Sequence, residues 1–211
     1  MLVDDHPLYR MGLKTLLETE AGYSVVSESE SPSQAWDSFQ NMSIDLVVCD
    51  LSFQESSGLG LVREIRSSGS KCPILVLSMH DENFWAERVL KEGVNGYLMK
   101  DQSAGSVINA ARSILNGGIF ISEAIQQKIL RQLTGLSSEE TSLEDLSVRE
   151  YEIFLCIAKG MTTPEIASTL FISVKTVQTH QGNIRKKLNL KSLAELRSLS
   201  SMYLNSDNFG V

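Results

Sequence analysis

The chain has 211 residues, 42% of them hydrophobic, enough to bury one or two cores. No apolar run approaches the roughly 20 residues that cross a bilayer, and the start carries neither a basic stretch nor a cleavage pattern, so a cytoplasmic setting is expected rather than membrane insertion or secretion. Cys49, Cys72 and Cys156 lack metal-site spacing and read as buried, reduced thiols, while the net charge of −7 divides into 17 acids against 11 bases over residues 1–134, 2 against 0 over 135–143 and 7 against 8 over 144–211.

In chain order, short apolar or β-branched runs at 2–3, 23–27, 44–49, 74–77 and 96–99 predict strands. The stretches between and after them, about 7–19, 32–42, 58–68, 82–92 and 104–116, predict helices, one of them announced by Ser31 ahead of Pro32. Strands that are apolar throughout, each followed by a helix, imply a parallel sheet covered on both faces, an α/β domain over 1–120. A sixth helix, about 122–133, runs into a polar, aperiodic stretch from Gly135 to Ser142, so that 121–143 is expected to link two domains. Within 144–211, Ser147 with Glu150, Thr162 with Glu165 and Ser192 with Glu195 each fit a capping box, and Ser173 can cap a further helix. Four helices follow, at about 147–159, 163–170, 174–188 and 193–204.

Polar residues stand directly after the apolar strands: Asp4 and Asp5 after the first, Asp50 after the third, Ser78 after the fourth and Lys100 after the fifth. All fall at the carboxyl edge of the sheet, where open α/β folds bind ligands at the reversal of strand order. Three carboxylates there repel one another unless a cation neutralises them, and an oxygen-only cluster beside a phosphate suits Mg²⁺. A carboxylate nucleophile attacking a phosphoryl donor needs a metal, an ammonium on the spreading charge and a hydroxyl on another oxygen. Asp50 is the expected nucleophile, with Asp4 and Asp5 on the metal, Lys100 on the phosphoryl group and Ser78 donating to it. A metal-dependent phosphatase that forms an aspartyl phosphate would place an acid/base Asp two residues beyond its nucleophile; Ser52 stands there, so an enzyme is not expected.

Val3-Asp4-Asp5-His6-Pro7, Val47-Val48-Cys49-Asp50 with Gly58 eight residues on, Leu75-Val76-Leu77-Ser78 and Asn95-Gly96-Tyr97-Leu98-Met99-Lys100 together resemble the receiver domain of bacterial response regulators. The resemblance implies a flavodoxin-like, doubly wound five-stranded sheet and a phosphoryl group accepted on Asp50 from a sensor histidine kinase. It further implies Mg²⁺ on Asp5, Asp50 and the backbone carbonyl of Ser52, with Asp4 acting through water, and a switch in which Ser78 advances and Tyr97 turns inward. The chain departs from the family in having Phe53-Gln54 where Met-Pro is usual, and only three residues precede Asp4, so that either the true start is upstream or the first strand is short. His6 reads as a helix-entry residue and His80 as a loop residue.

In the third helix of the second domain, Val174, Val177, Ile184 and Leu188 define a stripe expected to be buried, leaving polar and basic residues for a DNA major groove. Lys175, Thr176, Gln178, Thr179, Gly182, Arg185, Lys186 and Lys187 are the expected DNA-binding set. Gln178 can pair with adenine, Thr179 can meet a thymine methyl, the cations can neutralise phosphates, and Gly182 brings no side chain to a base. His180 is expected at the packing or phosphate edge. Leu146-Ser147-Val148-Arg149-Glu150, Ala158-Lys159-Gly160-Met161-Thr162 and Ile172-Ser173-Val174-Lys175-Thr176-Val177 are similar to the LuxR-type helix-turn-helix. With both halves matched, the chain resembles the NarL/FixJ group of response regulators, which implies a transcription regulator that binds double-stranded DNA as a homodimer. The alternative is a phosphorylation-independent DNA-binding regulator whose altered receiver serves as a dimerisation module.

Overall fold

A computed structural model describes residues 1–53, 57–134 and 143–205; residues 54–56, residues 135–142 of the expected linker and residues 206–211 at the end of the expected DNA-binding domain lie outside them. The chain divides into two compact units, Met1–Gly135 and Leu136–Val211.

The first unit alternates strand and helix: β1 (Leu2–Val3), α1 (Pro7–Thr19), β2 (Glu28–Ser29), α2 (Pro32–Asn41), β3 (Val47–Cys49), α3 (Gly58–Ser67), β4 (Ile74–Ser78), α4 (Glu82–Lys91), β5 (Gly96–Met99), α5 (Ala104–Leu115) and α6 (Glu123–Leu133). All five strands are parallel, in the order β2-β1-β3-β4-β5, so the order reverses between β1 and β3. Successive strand residues face opposite sides. Leu2, Val48, Leu75, Leu77 and Leu98 close on Leu13 and Leu17 of α1 and Val107, Ala110, Ala111 and Ile114 of α5. The residues on the other face, Val3, Val47, Ile74 and Val76, are equally buried, as in a sheet with both faces covered.

The second strand differs from its expected place at 23–27. Its ladder runs over Glu28–Ser29, because β1 is its neighbour and offers only Leu2 and Val3 for pairing. The backbone bonds are Leu2 N–H to the Ser27 carbonyl and Asp4 N–H to that of Ser29, each 3.0 Å. Tyr23 and Val25 still pack against the core, so the apolar signal there was one of burial and not of a ladder. The cysteines also differ from expectation: Cys49 is buried, but Cys72 and Cys156 are only partly so.

The second unit is helical: a 3₁₀ turn (Leu143–Asp145), α7 (Val148–Ala158), α8 (Thr163–Thr169), α9 (Val174–Lys187) and α10 (Leu193–Asn205). Its core gathers Leu146, Tyr151, Ile153, Phe154, Ile157, Ile166, Val177, Ile184, Leu188 and Leu196. The reciprocal box of Ser147 and Glu150 is complete: Glu150 N–H reaches Ser147 Oγ at 3.3 Å and Ser147 N–H reaches Glu150 Oε2 at 2.7 Å. At Ser192 the return bond goes instead to the neighbouring Lys191 N–H.

Candidate phosphoryl pocket and nucleic-acid interface

Register brings the acids together. Leu2 pairs with Val48 and Val3 with Cys49, which sets Asp4 level with Asp50 across the strand-order reversal. Asp50 N–H donates to the Val3 carbonyl at 2.9 Å, and Lys100 N–H donates to the Ser78 carbonyl at 2.9 Å, so backbone bonds fix the tip of β3 to β1 and that of β5 to β4. Asp4, Asp50 and Ser78 are buried, and the Lys100 side chain is only 5% exposed. Its ammonium lies 2.6 Å from Asp50 Oδ2 and 2.7 Å from Asp4 Oδ2. Burial alone would lower the Lys100 pKa, but the hydrogen bonds and charge of Asp4 and Asp50 outweigh it and hold it above the usual range. The other oxygen of Asp50 accepts from Leu51 N–H at 2.6 Å and Ser52 N–H at 3.2 Å.

Carboxylate or imidazole atoms of Asp4, Asp5, His6 and Asp50 lie within 4.8 Å of one another. Asp5 Oδ1 is buried with no well-formed hydrogen bond; His6 Nδ1 lies 2.9 Å away and makes an ion pair with it when the ring is protonated. A buried carboxylate oxygen in this state leaves room for a further donor, a water or a cation. His6 is the N-cap residue of α1, as expected at a helix entry, yet its ring also lies 3.1 Å from Asp4 Oδ1.

Gly58 is required at this site by contact distance. A Cβ there would lie 1.9 Å from the Asp50 carbonyl oxygen and 3.1 Å from Cys49 Sγ, so only glycine lets α3 start against the end of β3.

Ser78 Oγ accepts from His80 N–H at 3.2 Å, and the Tyr97 hydroxyl donates to the His80 carbonyl at 2.6 Å. Tyr97 thus lies inward, 1% exposed, and burial pushes its pKa up. Three neighbours escaped the sequence reading. The ring of His80 stacks on Trp85 and places Nε2 2.7 Å from Ser52 Oγ, bridging the β3 and β4 loops. Tyr9 sets its ring face 4.7 Å from Lys100 Nζ, with its own pKa pushed up to about 12 by burial and by the negative charges of Asp4 and Asp50. Arg10 donates to the Asp4 carbonyl and to Glu30 Oε1, tying the acidic turn to the chain beyond β2. The last two follow the acidic pair on the first turn of α1, and a helical wheel tied to that turn would have found them.

On α9, Val177, Ile184 and Leu188 are buried as expected, whereas Val174 is 42% exposed, because it opens the helix ahead of the packed stripe. Gln181 takes the vacated core position: it is buried and donates from Nε2 to Thr163 Oγ1 at 3.3 Å. Its position is readable from spacing, four after Val177 and three before Ile184, but its polar side chain hides it. Lys175, Gln178, Thr179 and Lys186 are exposed, while Arg185 and Gly182 are partly covered. The Thr176 hydroxyl is 2.8 Å from Ser173 Oγ in the helix cap, and Thr179 donates to the Lys175 carbonyl at 3.0 Å. The Lys187 ammonium is 2.7 Å from Glu150 Oε2, so this cation braces α9 on α7. His180 is half-buried beside this stripe.

Comparison with known proteins agrees at both ends of the chain. Residues 1–112 match the model of the response regulator receiver domain, and residues 144–200 match that of bacterial regulatory proteins of the luxR family. The nitrate/nitrite response regulator protein NarP of Escherichia coli (strain K12) is 34% identical over 192 residues, covering 91% of this chain and 89% of NarP. The response regulator UvrY of the same organism is 33% identical over 200 residues, covering 95% and 92%. Among solved structures, a two-component response regulator of the LuxR family from Aurantimonas sp. SI85-9A1 is 32% identical with a TM-score of 0.59, over 64% of this chain and 96% of that one. RcsB from Salmonella enterica serovar Typhimurium, bound to promoter rprA in the presence of BeF3⁻, has a TM-score of 0.61 at 22% identity, over 95% and 96%, a likeness of fold. No helix among the described residues is long and apolar enough to cross a membrane. With a receiver at one end and a luxR-family DNA-binding domain at the other, the chain belongs to the NarL/FixJ group of two-component response regulators, DNA-binding transcription regulators rather than enzymes.

Proposed function

We propose that Asp50 accepts a phosphoryl group from a sensor histidine kinase and that this event sets the DNA affinity of the α9 surface in a cytoplasmic homodimer. The observation that carries the reading is the buried Lys100 ammonium held between Asp4 and Asp50 beside an Asp5 oxygen with no hydrogen bond. An aspartyl oxygen attacks phosphorus, an O–P bond forms, and the bond from phosphorus to the donor atom breaks. Lys100 is already within reach, and Asp4 keeps it there when the charge of Asp50 is taken up by the phosphoryl group. Mg²⁺ fits the donor set of Asp5, Asp50 and the Ser52 carbonyl, with Asp4 behind a water; it would neutralise the phosphoryl oxygens. Ser78, freed from its bond with His80 N–H, donates to the same group, and Tyr97 packs behind it.

We assign the receiver to 1–120, the connecting segment to 121–143 and the DNA-binding domain to 144–211. Of the expected DNA-binding set, the exposure of Lys175, Gln178, Thr179 and Lys186 supports direct contact, and Arg185 and Gly182 lie at its margin. Thr176 serves the helix cap and Lys187 the α7 contact, each able to reach a phosphate only from those positions. The test compares DNA binding by the full chain with and without a small acyl phosphate and Mg²⁺, in the parent and in Asp50→Asn. Tighter binding in the treated parent alone supports the reading. Equal binding in all four samples favours the phosphorylation-independent alternative.

A further inference from the structure

Phe171 is 94% exposed, more so than any other large hydrophobic side chain among the described residues. It stands in the turn between α8 and α9, two residues ahead of Ser173, the N-cap of α9. Its φ of +53° lies in the left-handed region, which glycine and asparagine enter far more readily than an aromatic residue. The turn is nonetheless held in place. Phe171 N–H donates to the Ser168 carbonyl at 3.3 Å, Ile172 N–H to that of Ala167 at 3.0 Å, and Arg149 reaches across from α7 to the Leu170 carbonyl. Neither local conformation nor packing within the unit accounts for a phenyl ring here. What is near is the entry of α9, with exposed Val174 and Lys175 directly after the cap.

A ring continuous with the N-terminal turn of a helix in the major groove meets the groove rim, where deoxyribose carbons and thymine methyls are apolar. We infer that Phe171 is a DNA-contact residue, a rigidly presented apolar anchor that packs on the sugar edge of the duplex as α9 enters the groove. The inference rests on the assignment of α9 as the reading helix. Because the contact is apolar, it releases no counterion, and this separates it from its basic neighbours.

The full chain is titrated into a labelled duplex pool of random sequence at several salt concentrations, with affinity read by anisotropy. Phe171→Ala is expected to weaken binding about tenfold with an unchanged slope of log affinity against log salt, and Phe171→Tyr to retain parental affinity. Phe171→Gly relieves the left-handed strain, so it is expected to raise the thermal midpoint while lowering DNA affinity, which excludes misfolding as the cause. Lys175→Ala is the control, with a slope shallower by about 0.9 for one lost phosphate contact. If Phe171→Ala and Phe171→Gly bind as the parent does, or more tightly, while Lys175→Ala weakens binding, the inference fails and the α9 assignment stands. If none of the variants alters binding, both fail.

Discussion

The two ends of the molecule handle anions in opposite ways. In the first unit the cation is buried: Lys100 is locked between Asp4 and Asp50, and the residues around it are fixed by strand ladders. In the second, Lys175 and Lys186 stand in solvent on one side of α9, while the buried polar groups, Glu150 and Gln181, face inward and join helices. A pocket that must stabilise charge developing on one small group gains from low dielectric and fixed geometry. A surface that must neutralise a long polyanion gains from exposed cations whose counterions are released on contact. Substitutions in the first should therefore act on rate, in the second on affinity and its salt dependence.

The largest effect is expected at Lys100. Lys100→Met should slow phosphoryl uptake from a small acyl phosphate by about 10²–10³, the scale of losing one preorganised charge partner, while DNA binding by the untreated chain stays at its parental level. Uptake at the parental rate would remove Lys100 from the mechanism. Next comes Gly58→Ala, whose methyl group meets the Asp50 carbonyl; denaturant unfolding should show the first unit destabilised by about 1–3 kcal/mol, with the transition of the second unit unmoved. An unshifted first transition would show that α3 can retreat from β3 freely.

Smaller effects belong to the helical unit. Burial tends to raise the Glu150 pKa, but the bonds from Lys187 and Ser147 prevail and lower it below its ordinary 4.5. The stabilisation it gives is complete above about pH 4.5 and lost as the pH falls through the lowered value. Glu150→Gln should cost roughly 1 kcal/mol at neutral pH, the upper range for a partly exposed ion pair, and that difference should shrink as the solution is acidified below pH 4.5. A constant difference across this range would assign the effect to packing. Smallest is Gly182→Ala: a Cβ there meets nothing within 4 Å, so α9 should gain up to about 1 kcal/mol, read as a higher thermal midpoint. A lower midpoint would reveal a constraint on glycine at that position.

The same contrast explains what was legible in the sequence. Strand ends announce themselves because an apolar run stops and a polar side chain follows, so Asp4, Asp50 and Lys100 meet once the strands are parallel, with Ser78 at the tip of the strand beside Lys100. His80 was not legible, since it reaches the pocket from a loop whose approach depends on packing, whereas Tyr9 and Arg10 become legible only once the first turn of α1 is wound onto the acidic pair. The second strand was misplaced because apolar residues at 23 and 25 report burial, whereas pairing depends on the length of the neighbouring strand. On α9, periodicity found the buried face, but residue type misled at its two exceptions, exposed Val174 and buried Gln181. Lys187 was assigned by charge alone, and only the approach of Glu150 from α7 reveals its partner.

The most direct test of the pocket is mass spectrometry of the intact chain after incubation with Mg²⁺ and a small acyl phosphate, followed by peptide mapping. One added phosphoryl group on Asp50, absent in Asp50→Asn and without Mg²⁺, is the result this geometry requires. No addition, or addition at another residue, would contradict the assignment of Asp50 as the acceptor.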